Sequence, residues 1–226
     1  MAVSRGDGSV LIVTAGHVLG ALSTAPPPIH GHVVHFGDGP EPLVAYKGTL
    51  GRIERRVPDG LPEDRRLVHD VATIEVGVHG RFENHVAGFA VNGVRAFAFD
   101  DPELAVIDVW IEGAASGARP GRLHTRRVAR TVSVAHSEPA THVLYRNACW
   151  VEPVDGRDAA RDGDSGAVCI DAEGRAVAMV VAAENPAGDG APPARALTLP
   201  FWLLARELAI RDDDVTESVV LTPGFS

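Results

Sequence analysis

Cysteine is nearly missing from this chain: its 226 residues include two, Cys149 and Cys169. Two thiols are too few for a disulfide framework and leave at most one bridge, so the fold must be held by its core. Basic residues are also in short supply, with 21 Lys and Arg against 30 Asp and Glu and a net charge of -9. A chain of that sign has no broad cationic face to neutralise phosphates, which excludes nucleic acid as the expected partner and disfavours an acidic membrane surface. Long apolar runs are missing as well. No stretch reaches the roughly 20 apolar residues that span a bilayer. The opening "MAVSRGDGSVLIVTAGHV" lacks the basic start and small-residue cleavage site of a secretion signal. A cytoplasmic location is the default expectation.

What the chain does have is punctuation. Gly (24) and Pro (16) separate short runs rich in Val, Ile and Leu, a pattern of many strands joined by turns, and 45% hydrophobic residues supply an ample core. Strands are expected at "SVLIVTA", "HVVHF", "PLVAYKGTLGRI", "DVATIEV", "LAVIDVWIE", "LHTRRVARTVSV", "THVLYRNACWV", "GAVCI" and "RAVAMVVAA". One helix is expected, at "PFWLLARELAI", where Phe201, Leu204 and Leu208 recur at helical spacing behind Pro200. Loops are expected at 25–28, 58–66 and 184–194. There is no repeat of fixed period. A division near residue 95 gives one unit over 1–95, a second over 96–211, and an acidic tail over 212–226 that is either a solvated extension or an added edge strand.

The residues able to carry chemistry begin with "DGDSG" at 162–166, directly before an apolar run. Gly, Asp and Ser are ordinary turn residues, but a glycine-rich turn can also aim backbone N–H groups and a hydroxyl at one point. A serine hydroxyl becomes a useful nucleophile when a base takes its proton and a third group orients that base. Among 10 histidines, His17 stands at the end of an apolar strand in "LIVTAGH", and Asp70 stands ahead of one in "HDVATIEV". A carboxylate at the lip of a buried strand needs a hydrogen-bond donor. Each residue also has a plain structural reading: Ser165 in a surface turn, His17 as a buried, satisfied histidine, Asp70 as a turn cap. His69 is an alternative partner that strand alternation points the other way. His30 and His32 have a metal-compatible spacing, but no carboxylate or cysteine nearby completes a site, so no metal or cofactor is expected.

"TAGHV", "HDVATIEV" and "GDSGA", in that order and with His17, Asp70 and Ser165 separated by 53 and 95 residues, resemble the signature segments of the trypsin-like serine peptidases. "VWIEGAASGARPGRL" and "ARALTLPFWLLAREL" are similar to the opening and closing segments of the second barrel in bacterial members. The resemblance implies an all-β fold of two packed six-stranded antiparallel β-barrels with a C-terminal helix. It implies a serine endopeptidase acting on polypeptides, with Ser165 as nucleophile, His17 as general base and Asp70 orienting it. The N–H groups of Gly163 and Ser165 would form the oxyanion hole, and Asp164 would brace the loop.

The chain departs from the family pattern in two places. Sixteen residues precede His17, one strand short, which leaves three expectations open: a misassigned start, a fragment of a longer protein with partner domains, or a gap filled by the C-terminal "ESVVLT". The primary pocket would be formed by Ala159, Val181, Ala182 and Ala183, which implies a small or medium apolar guest rather than Lys or Arg. These departures leave a second function open: a binding or regulatory module with weak or no catalysis.

Overall fold

Val, Ile and Leu runs broken by Gly and Pro produce strands through much of the described chain. The computed structural model describes residues 1–4, 10–19, 32–34, 43–45, 53–55, 65–67, 70–75, 80–134, 141–184, 186, 188 and 190–221. His30, His69 and the 25–28 loop lie outside the described residues, as does most of the 58–66 loop.

The first half contains β1 (Ala2–Ser4), β2 (Val10–Thr14), β3 (His32–Val34), β4 (Leu43–Ala45), β5 (Ile53–Arg55), β6 (Arg65–Leu67) and β7 (Ala72–Glu75). β2 runs antiparallel between β1 and β7, with Ile12 opposite both Ala2 and Ile74. β3 pairs with β4 and β5 with β6. The chain then passes through β8 (Gly80–Glu83), β9 (His85–Val86) and β10 (Phe89–Ala90).

The second half contains β11 (Val106–Gly113), β12 (Gly117–His124), β13 (Val128–Val134), β14 (Thr141–Pro153), β15 (Val168–Ile170), β16 (Ala176–Ala183) and β17 (Ala196–Pro200). Its strands follow the order β12-β11-β15-β16-β17-β14, and β14 pairs again with β12, closing a six-strand antiparallel barrel. β11 shows how the sequence fills it: Ile107, Val109 and Ile111 are buried, while Val106, Asp108 and Glu112 on the other face are exposed and Trp110 is partly so. Ile107, Val109 and Ile111 pack with Leu123, Val151, Cys169 and Val177. Pro200 ends β17 and leads into α1 (Phe201–Glu207), placed where a missing N–H costs nothing. Phe201, Leu204 and Leu208 are buried, and α1 packs against β16 and β17. A second apolar cluster spans the two halves, joining Val3, Leu11, Val13 and Val71 to Leu197, Leu199 and Phe201.

Two expectations are refined. "LHTRRVARTVSV" is two strands rather than one: the Thr125 hydroxyl donates to the Leu104 carbonyl at 2.8 Å and its N–H to that of Ala105 at 3.0 Å, which turns the chain between β12 and β13. The tail is not merely a solvated extension. After a 3-10 turn at Asp212–Asp214, β18 (Ser218–Leu221) pairs antiparallel with β8 and lies against β1 and β2. Cys149 and Cys169 are free and buried, so the bridge left open by the sequence is not formed. Burial pushes the Cys149 thiol up to about 12 and that of Cys169 higher still. Among the described residues no helix is long and apolar enough to cross a membrane.

Candidate active site

β2 delivers the chain to a 3-10 turn, Gly16–Leu19, which carries His17. The buried Val13 and Ala15 anchor the approach. Asp70 stands immediately ahead of β7, which lies beside β2, so the strand pairing brings the two residues together. The carboxylate is 1% exposed and the imidazole 16% exposed. Asp70 Oδ1 accepts the His17 backbone N–H at 2.9 Å, and Oδ2 lies 2.5 Å from His17 Nδ1. A Cβ at Gly16 would stand 2.9 Å from Asp70 Oδ1, so the small residue before His17 is what permits this approach. A third donor, the buried Tyr145 hydroxyl from β14, bonds Asp70 Oδ2 at 2.7 Å. Burial, the Asp70 charge and that hydrogen bond all raise the Tyr145 phenol well above its ordinary value, so it remains an O–H donor.

Ser165 belongs to a turn bolted down on both sides. Asp164 is buried, and its carboxylate accepts N–H groups from Ala115 at 2.7 Å, Ser116 at 3.1 Å and Arg161 at 2.8 Å. Gly166 donates to the Val180 carbonyl at 2.8 Å and has φ +92°. A Cβ there would stand 2.3 Å from Thr14 Oγ1, which shows how closely the turn packs on the end of β2 just ahead of His17. The N–H groups of Gly163 and Ser165 donate to no described residue, and Gly163 has φ +100°. The Ser165 hydroxyl is 3.5 Å from the carbonyl of Val181 and makes no hydrogen bond to His17. That carbonyl is re-aimed by a β-bulge between Val180 and Ala182, where β16 slips one residue against β17.

Gly163, Ser165 and Gly166 line a cavity of about 360 Å³ together with Thr14, Val91 and Glu112. The four residues expected to form the primary pocket, Ala159, Val181, Ala182 and Ala183, do not line that cavity, although the Val181 carbonyl reaches the Ser165 hydroxyl. Ala159 and Val181 are buried, with the Ala159 N–H bonded to the Ala194 carbonyl at 2.8 Å, and Ala182 and Ala183 are partly exposed. Among the described residues no three His, Cys, Asp or Glu side chains converge as metal ligands. Sequence reasoning missed Tyr145, because nothing in "THVLYRNACWV" marks that tyrosine as the partner of a carboxylate 75 residues away.

The closed second barrel, the strand set ahead of it and the C-terminal helix define the chymotrypsin-like fold. In structure the chain is similar to a glutamic acid specific serine protease that uses a histidine triad in substrate binding, with a TM-score of 0.53 and 14% identity over 96% of this chain and 90% of that one. It is also similar to a Nocardiopsis protease (TM-score 0.50, 16% identity, 98% and 90% covered) and to Thermobifida fusca protease A (0.50, 15%, 98% and 89%). No family model and no curated protein matches the chain in sequence. Its structural neighbours are thus serine proteases at low identity, and the fold is theirs.

Proposed function

We propose that the chain is a serine endopeptidase that hydrolyses polypeptides through an acyl-enzyme on Ser165. The observation that supports this reading is the His17–Asp70 pair, its carboxylate buried and its imidazole half-buried, at the end of the strand against which the Ser165 turn packs through Gly166, in a fold shared with serine proteases. His17 Nδ1 is engaged by Asp70, which leaves Nε2 as the base. Rotation of the Ser165 hydroxyl away from the Val181 carbonyl would present its proton to Nε2. The oxygen then attacks the scissile carbonyl, and the N–H groups of Gly163 and Ser165 hold the oxyanion; one such donor is worth roughly 100- to 1000-fold in rate. The C–N bond breaks as Nε2 returns the proton to the leaving amine, and water repeats the cycle on the ester. Asp164, whose carboxylate is saturated by three N–H groups, braces the turn and takes no proton. Small walls at Ala159, Val181, Ala182 and Ala183 favour a small or medium apolar side chain on the acyl side.

The test is labelling of purified protein by a fluorophosphonate, read by intact mass. One adduct is expected in the parent and none in Ser165→Ala or His17→Ala, with peptide hydrolysis falling at least roughly 1000-fold in both. Equal hydrolysis by parent and Ser165→Ala would sink the proposal. The Ser165–Val181 contact favours a second reading, a binding module with weak catalysis. Robust Ser165-dependent turnover would remove it.

A further inference from the structure

The Asp70 carboxylate receives one hydrogen bond that the proposed reaction does not call on. His17 supplies its N–H and Nδ1, and the third donor is Tyr145, 75 residues away in sequence. His17 and Asp70 belong to the β1-β2-β7 side of the molecule, whereas Tyr145 is in β14 of the closed barrel. β14 is registered on β17 through Cys149 opposite Thr198, and β17 on β16 through Thr198 opposite Val180. The residue after Val180 is Val181, whose carbonyl faces the Ser165 hydroxyl. A continuous path therefore runs from Asp70 through one phenol and three paired strands to Ser165. We infer that Tyr145 is a positioning residue that holds Asp70, and through it His17, in register with the strand carrying Ser165's contact. The inference rests on the peptidase reading for its kinetic consequence but not for its geometry.

The bond bears on electronics as well as position. Tyr145 Oη and His17 Nδ1 share Asp70 Oδ2, so the phenol draws off part of the charge that the imidazole would otherwise meet. Removing the phenol O–H leaves more charge for the imidazole and frees the carboxylate to swing. Asp70 and Tyr145 are each 1% exposed, so no bulk solvent replaces the lost donor at no cost.

The experiment compares the full-length parent with Tyr145→Phe, which keeps the ring. For a hydrogen bond to a charged group, kcat is expected to fall roughly 10-fold. KM should stay within about twofold, and the acid limb of kcat/KM should move to higher pH by roughly half a unit. In an Asp70→Asn background the Tyr145→Phe loss should disappear, because the two side chains act through one contact. A readout independent of turnover is the downfield proton resonance of His17 Nδ1–H, which should move further downfield in Tyr145→Phe. If Tyr145→Phe fails to fold, 3-fluorotyrosine incorporated in a Tyr46→Phe background leaves Tyr145 as the single labelled site. Its more acidic phenol should shift the resonance and the acid limb the opposite way. A parent without turnover but with the resonance shift would overturn the peptidase reading and keep Tyr145 as the register element. An unmoved resonance, or kinetics unchanged and additive with Asp70→Asn, would overturn the inference.

Discussion

At Gly166 a side chain has nowhere to go. Its φ is +92°, and a Cβ would stand 2.3 Å from Thr14 Oγ1 and 3.2 Å from the Ala15 nitrogen. Gly166→Ala is therefore expected to lose about 2–3 kcal/mol from backbone strain and overpacking together, measured by urea denaturation, and to slow fluorophosphonate labelling. Asp164 is constrained in another way. In Asp164→Asn one oxygen becomes an NH2 facing N–H donors, leaving a buried group unpaired at a cost of about 1–3 kcal/mol, again by urea denaturation. The residues of this turn were legible in "GDSGA" because turn chemistry is local. Tyr145 was not legible, since its role exists only where a strand from the second half meets Asp70.

The strands follow period-two patterning wherever one face is buried, as in β11. β1 shows what patterning omits. The Asn84 side chain bonds both backbone groups of Ala2, accepting its N–H at 2.9 Å and donating to its carbonyl at 2.7 Å, and donates to the Thr216 carbonyl at 2.8 Å. One amide thereby acts as a short piece of strand and ties β1 to the segment leading into β18. Asn84→Ala is expected to lose about 2–3 kcal/mol for these buried bonds. Hydrogen exchange should show it opening β1 ahead of the barrel strands β16 and β17.

Across the whole molecule, Asp171 is a buried acid whose charge joins pieces 76 residues apart. Its side chain is 1% exposed and bonds Arg95 at 3.1 Å and Arg175 at 2.9 Å. Burial alone would raise its pKa, but the Arg175 N–H and the two guanidinium groups outweigh burial and hold it below the ordinary carboxylate range. A depressed folded-state value means that this stabilisation is complete above about pH 4, where the unfolded chain's Asp ionises, and is lost as pH falls through the lower folded value. Stability measured in urea should therefore drop as pH falls below about 4, and Asp171→Asn should flatten that drop.

The sequence by itself determined the β-rich class, the strands along most of the described chain, the helix behind Pro200, and the short segments carrying His17, Asp70 and Ser165. Each of these depends on alternation, turn residues or helical spacing within about ten positions. Only the tertiary structure decided the closure of β14 on β12, the bulge that aims the Val181 carbonyl at Ser165, the return of β18 to β8, and the Tyr145 bond to Asp70. These pairings join residues as far apart in the chain as Gly80 and Leu221. Such partners are chosen by which edges and buried polar groups the folded chain leaves to be satisfied, and no local pattern encodes that choice.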